Sequence, residues 1–162
     1  MEERSNAHGY EVTAEDVFKG ALAGLIGGIV ATAVKTLAEE VFPPRPPDAE
    51  SPPVVAAKKI WGDERVEGRE DEFEEAIHWT FGALTGSAYG AFVEVAPAAS
   101  RGYGVPFGAA LFTSTHGTAL PLLGLEGGPF KIPLGRQANE LTTHFFYGVA
   151  ADLTRRGVRR LL

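Results

Sequence analysis

The 162-residue sequence predicts an all-α protein: a four-helix transmembrane bundle with glycine-zipper packing and a Pro-rich loop between helices 1 and 2. Three observations lead there. Charge is excluded from four apolar segments, glycines recur every fourth residue inside them, and proline and charge crowd the interval after the first. The mean hydropathy of −0.02 is that of an ordinary soluble protein. The segregation of charge therefore carries the argument, and the average does not.

The first segment, GALAGLIGGIVATAV (20–34), lies between Lys19 and Lys35, and the second, AIHWTFGALTGSAYGAFV (76–93), runs to Glu94. The third, GYGVPFGAALFTSTHGTALPLLGL (102–125), contains no Asp, Glu, Lys or Arg, and the fourth, LTTHFFYGVAA (141–151), is the shortest. A hydrocarbon core about 30 Å thick takes roughly 20 mostly apolar residues in a helix. The second and third segments meet that length. The first and fourth reach it only if Lys19, Lys35, Arg136 and Arg155 extend toward the interfaces from the helix ends. The predicted helices are about 17–40, 75–97, 103–124 and 137–156. Residues 41–74 form a loop, in which proline prevents a continuing helix and a short helix fits over 54–61.

Gly20, Gly24 and Gly28 share a face of the first helix, and Gly82, Gly86 and Gly90 share a face of the second. An interior helix glycine costs roughly 0.8–1 kcal/mol relative to alanine in water. In lipid, such a face lets two backbones approach closely and gain packing energy. A soluble bundle with small-residue seams is the alternative reading. No glycine cluster follows a strand and opens a phosphate-binding loop.

A net charge of −6 argues against nucleic acid as a partner, and the absence of cysteine removes thiolate metal sites and disulfides. The lipid bilayer is the expected partner, with a homo-oligomer or a larger membrane complex assembled through the glycine faces. The polar, acidic start, MEERSNAHGYEVTAED, has no basic or apolar leader region, which predicts no signal peptide. His8 within it carries no specific role. The tail RRGVRR (155–160) predicts that both termini are cytoplasmic, in a bacterial or archaeal inner membrane. The Pro-rich loop would then face outward. Trp61, Trp79, Tyr89 and Tyr103 fit interfacial anchors or packing.

Several motifs stand in an order that resembles a known family. AVKTLAEEVFPPRPP (33–47) closes the first helix, HGTALPLLGL (116–125) places a His before a Pro-Leu-Leu-Gly-Leu turn, and NELTTHFFYGVAADLTRR (139–156) follows. Together, over about residues 17–160, they resemble the YagU-like family of small bacterial inner-membrane proteins. The resemblance implies counterparts for Lys35, Glu39, Pro43, Pro44, Arg45, His78, Glu94, His116, Glu140 and His144. It supports a membrane location and supplies no substrate. The highly acidic stretch 62–75 departs from the family pattern.

The ionisable residues of the predicted spans are Lys35, His78, Glu94, His116, Glu140 and His144. Such groups cost roughly 2.5–3.5 kcal/mol each near a helix centre, and they face a bundle interior and pair with one another. At about 1.5 Å per residue, the histidines and Glu140 converge on the outer half of the membrane and Glu94 lies alone on the inner half. Three readings follow. The first is a proton or ion relay through a His/Glu-lined interior. The second is a transition-metal site for zinc or iron, in which Glu140 and His144 share a helix face and His116, His78 or Glu94 completes the ligand set, or a haem held by His116 and His144. The third is a structural pairing that fixes helix register. No cofactor is required by any motif. Lys35 has the simplest reading, as a helix-end residue reaching the interface, and Arg45 reads as a rim residue in a stiff turn. Enzymatic activity has the least support: Ser114, Thr115 and His116 are neighbours on one helix and do not face each other, and neither G-x-S-x-G nor H-E-x-x-H occurs.

Overall fold

The computed structural model describes residues 12–162, so His8 lies outside the described residues. Helix α1, Ala14–Val41, begins at a capping box in which the Thr13 hydroxyl accepts from the Asp16 amide and the Asp16 carboxylate accepts from the Thr13 amide. It stops before Pro43, whose ring disfavours a helical conformation in the residue ahead of it. The interval 41–74 is more ordered than the sequence predicts. It holds α2 (Pro52–Trp61) and α3 (Asp63–Val66). Pro52 and Pro53 initiate α2, because a fixed φ suits the first helical turn and the missing N–H is not needed there, while Ser51 caps the Val54 amide. Val54, Ala57 and Val66 bury against Phe73 and Ile77 of the following helix.

Helix α4, Glu70–Val95, starts five residues ahead of its predicted bound of 75, with Glu70, Asp71 and Glu72 at the positive end of the helix dipole. The third predicted helix changes winding. Helix α5 (Val105–Ser114) passes into a π-helical turn, Thr115–Ala119, and then into α6 (Leu120–Leu122). Pro121 cannot donate to the carbonyl one turn back, and its ring crowds that position, so the helix widens. The hydroxyls of Thr115 and Thr118 take up carbonyls near the change, donating to Leu111 at 2.7 Å and Thr113 at 3.0 Å. Helix α7, Leu134–Arg159, completes the fold. There is no strand among the described residues.

Helix α1 is central, antiparallel to both α4 and α7, and α5 packs antiparallel on the other side of α7. Glycines set these distances. A Cβ at Gly20 would lie 2.7 Å from the Gly90 carbonyl oxygen, and one at Gly24 or Gly28 would fall inside the carbonyl of Gly86 or Gly82. Gly27 meets Ala151 of α7 in the same way, and Gly104 and Gly108 of the α5 end meet the backbone of Gly148 and His144. All six glycines of the predicted faces are thus used within one chain.

Large apolar side chains are prominent at the surface and several polar ones are buried. Phe18, Leu84 and Phe92 are 62%, 61% and 55% exposed, while Thr32, Thr143 and Asp152 are among the largest fully buried side chains. By length and composition α1 alone, among the described residues, is apolar enough to cross a membrane. The four-span expectation is therefore not met by helix composition. Helix α5 has only 10 residues before the winding changes, and α7 carries Glu140, His144, Asp152 and Arg155 inward.

Replacing Gly24 with alanine is expected to cost about 1–3 kcal/mol by forcing α1 from α4. Gly157→Ala, where nothing lies within 4 Å of the added carbon, should be neutral or stabilising by up to about 1 kcal/mol. Thermal unfolding of the two variants followed by circular dichroism measures the difference.

Candidate functional site

The close approach of α1 and α7 brings Lys35 against Glu140. The Lys35 ammonium donates to the Glu140 carboxylate at 3.0 Å and also pairs with Glu39, one turn along α1. Lys35 and Glu140 are only 7% and 5% exposed. The reading of Lys35 as a helix-end residue extended to the interface is therefore corrected: its ammonium turns inward, because Glu140 is buried opposite it.

Glu140 is the hub. Its Oε1 lies 3.3 Å from His116 Nε2 and 3.3 Å from His144 Nδ1. The i, i+4 spacing on α7 puts His144 one turn below, where its Nδ1 donates to the Glu140 backbone carbonyl at 2.8 Å. His116 arrives from the π-helical turn, and its Nδ1 lies 2.7 Å from Glu126 Oε2. Phe112 stacks on the His116 ring and meets the His144 ring edge-on. The two imidazoles themselves meet edge to face with centroids 5.2 Å apart, which leaves no slot for a haem between them.

His116 is thus held between two carboxylates. A neutral imidazole donates from one nitrogen only. Whichever tautomer forms, the other nitrogen's lone pair faces a carboxylate oxygen, and on the Glu140 side that oxygen already accepts from Lys35.

These groups close one end of a cavity of about 330 Å³, whose other walls are mostly apolar and include Ile77, Phe81, Leu111 and Leu120. A second hollow of about 290 Å³ adjoins it, lined by Glu39, Asp71, Glu74 and Glu75. Arg45 and His78 border both. His78 Nε2 is buried without a hydrogen-bond partner. The Pro43–Pro44 turn carries Arg45 to this border, and Asn139 fixes the turn by donating to the Pro43 carbonyl at 2.9 Å.

Glu94 does not join this group. It pairs at the opposite end of the bundle with Arg159 at 3.0 Å, and Arg159 also reaches Asp16. Beside it, fully buried Asp152 accepts from Tyr89, Arg155 and Arg156 at 3.1, 3.1 and 2.7 Å. Tyr89, read as an anchor or packing residue, thus points its hydroxyl inward, and Arg155 turns inward as well. Between the two polar ends, Ala31, Tyr147 and Ala151 pack with Phe107 and Leu111. The Tyr147 hydroxyl donates to the Gly82 carbonyl at 2.6 Å.

Sequence reasoning missed Glu126, Asp152 and Tyr147. Glu126 sits in a loop with no periodic pattern to aim it. Asp152 had a signal in the i, i+3 and i, i+4 spacing to Arg155 and Arg156, and Tyr147 one in its place a turn beyond Thr143.

Removing one partner of a buried ion pair strands the other, so Lys35→Met should cost about 3–5 kcal/mol. The double variant Lys35→Met/Glu140→Gln should recover most of that loss. Unfolding midpoints of the single and double variants test the pairing.

No curated protein and no solved structure matches the chain. A family model described as "Protein of unknown function (DUF1440)" matches residues 29–153. That span contains Lys35, the cavity and its histidines, and Asp152, and the chain belongs to this family.

Proposed function

We propose that this chain is a four-span integral membrane protein that takes up a cation at the His116–Glu140–His144 site. The spans are α1, the apolar part of α4, the α5–α6 run and α7, with both termini on the cytoplasmic side of a bacterial or archaeal inner membrane. The YagU-like motif order and the arginine-rich end support that placement. So do the exposed apolar side chains of α1 and α4 and the burial of Glu140, Thr143, His144, Asp152 and Arg155 on α7.

The observation that carries the cation reading is His116 between Glu126 and Glu140. One added positive charge completes that arrangement and no anion does. Around it, Lys35 is shared between Glu39 and Glu140, Glu126 pairs with His116, and Arg45 stands at the cavity border. The acidic hollow at the border of the cavity would concentrate cations at its mouth.

Movement of the ion to the Glu94 end would require the Tyr147–Phe107 barrier to open. A proton or ion transport role therefore rests on a second conformation. The accessory-subunit reading has less support, since the glycine faces that would bind a partner are occupied within the chain.

A ligand that binds the folded state raises its stability, by about 2.7 kcal/mol at 100 times its dissociation constant. Unfolding midpoints of the detergent-purified protein, measured across pH and with monovalent and divalent cations, should shift for wild type. Glu140→Gln should abolish the dependence. Identical responses in the two proteins would defeat the cation reading.

A further inference from the structure

The proton and the metal ion differ in what they ask of the ring nitrogens, and this site answers that question. We propose that His116, Glu140 and His144 bind a divalent transition-metal ion through the two imidazoles and the Glu140 carboxylate. The proposal rests on the cation-site reading above and names the ion.

The donor set is two imidazoles and one carboxylate, all offering ligand atoms within 4.8 Å of one another. Zinc takes such ligands at bonds of about 2.0–2.2 Å, so the three side chains need close on it by only an ångström or so. Metal-bound histidines usually present their other nitrogen to a carboxylate or backbone carbonyl, which fixes the tautomer. Both histidines here have such a partner on Nδ1: Glu126 Oε2 at 2.7 Å for His116 and the Glu140 carbonyl oxygen at 2.8 Å for His144. The Nε2 of His116 is left to face the ion, 3.3 Å from Glu140 Oε1, while His144 presents its Nδ1 to the same oxygen at 3.3 Å.

Lys35 is the one group that opposes a metal. Its ammonium occupies Glu140 Oε1, yet it already pairs with Glu39 and would keep that partner when the ion arrives. Three protein ligands leave at least one coordination position open, and the cavity of about 330 Å³ lies on that side. Open positions mark exchangeable or reactive metal sites, whereas structural zinc sites are closed by four protein ligands.

The test uses full-length protein in detergent, stripped with chelator and titrated with Co²⁺, followed by competition with Zn²⁺. The expected result is one Co²⁺ per chain with visible ligand-field bands that Zn²⁺ removes. His144→Ala should lose the bands. Glu126→Gln, which leaves all three ligands in place, should weaken binding by about 10–100-fold. Lys35→Met should bind more tightly than wild type and regain its lost thermal stability on adding Zn²⁺, an effect a purely structural cluster would not produce. Absence of stoichiometric Co²⁺ in both wild type and Lys35→Met overturns the metal proposal. If Glu140-dependent stabilisation by protons or other cations persists in that case, the broader cation reading stands. If that dependence is also missing, both readings fall.

Discussion

The backbone approach of α1 to its two neighbours is the constraint on which the rest of the structure depends. Glycine on both sides of the α1–α4 contact removes the side chains that would hold the helices apart, and Gly27 does the same toward α7. Only because α1 lies this close can the Lys35 ammonium reach Glu140 across helices instead of extending to the interface. Glu140, held by that ammonium, is then in place to meet histidines from two directions. The polar site is thus a consequence of small residues some distance away from it. The same logic works at the α5–α7 contact, where Gly108 lies on the backbone of His144 and lets Phe112 stand beside both rings.

The bundle has two polar ends with different chemistry. At the arginine-rich end, Asp152 and Glu94 are met by Arg155, Arg156 and Arg159, so carboxylates and guanidiniums compensate one another. That network is saturated and reads as structure. At the other end Lys35 serves both Glu39 and Glu140, His116 lies between Glu126 and Glu140 with Arg45 at the cavity border, and His78 Nε2 has no partner among the described residues. Buried polar groups are nearly always satisfied, so a deficit concentrated beside a cavity is where a ligand belongs. The π-helical turn that delivers His116 fits the same pattern, since such turns concentrate at functional sites.

Much of this was legible in the sequence, for definable reasons. Helicity followed from segregated charge, and a short helix over 54–61 was expected within the Pro-rich interval. The i, i+4 spacing of Glu140 and His144 survived folding because helix geometry alone enforces it. What was not legible depends on contacts between elements. Lys35 looked like a helix-end residue because the sequence does not show Glu140 opposite it. Depth along the helices already set Glu94 apart from the histidines, but the sequence did not show its partner Arg159. Glu126 lies in a loop, and its meeting with His116 depends on how the chain turns after Pro121. Composition also gave no sign of which α7 polar residues turn inward: Glu140, Thr143, His144, Asp152 and Arg155 do, while Arg136 is exposed.

The membrane placement proposed above requires that the exposed apolar side chains face lipid while the charged cluster stays internal. Nitroxide labels at Leu84, Phe92, Phe146 and Leu153, all exposed in the structure, can be placed in the protein reconstituted in bilayers. The account predicts high collision rates with oxygen and low rates with a water-soluble nickel chelate at all four positions. High accessibility to the nickel chelate at these positions would show that the faces meet water, and would contradict it.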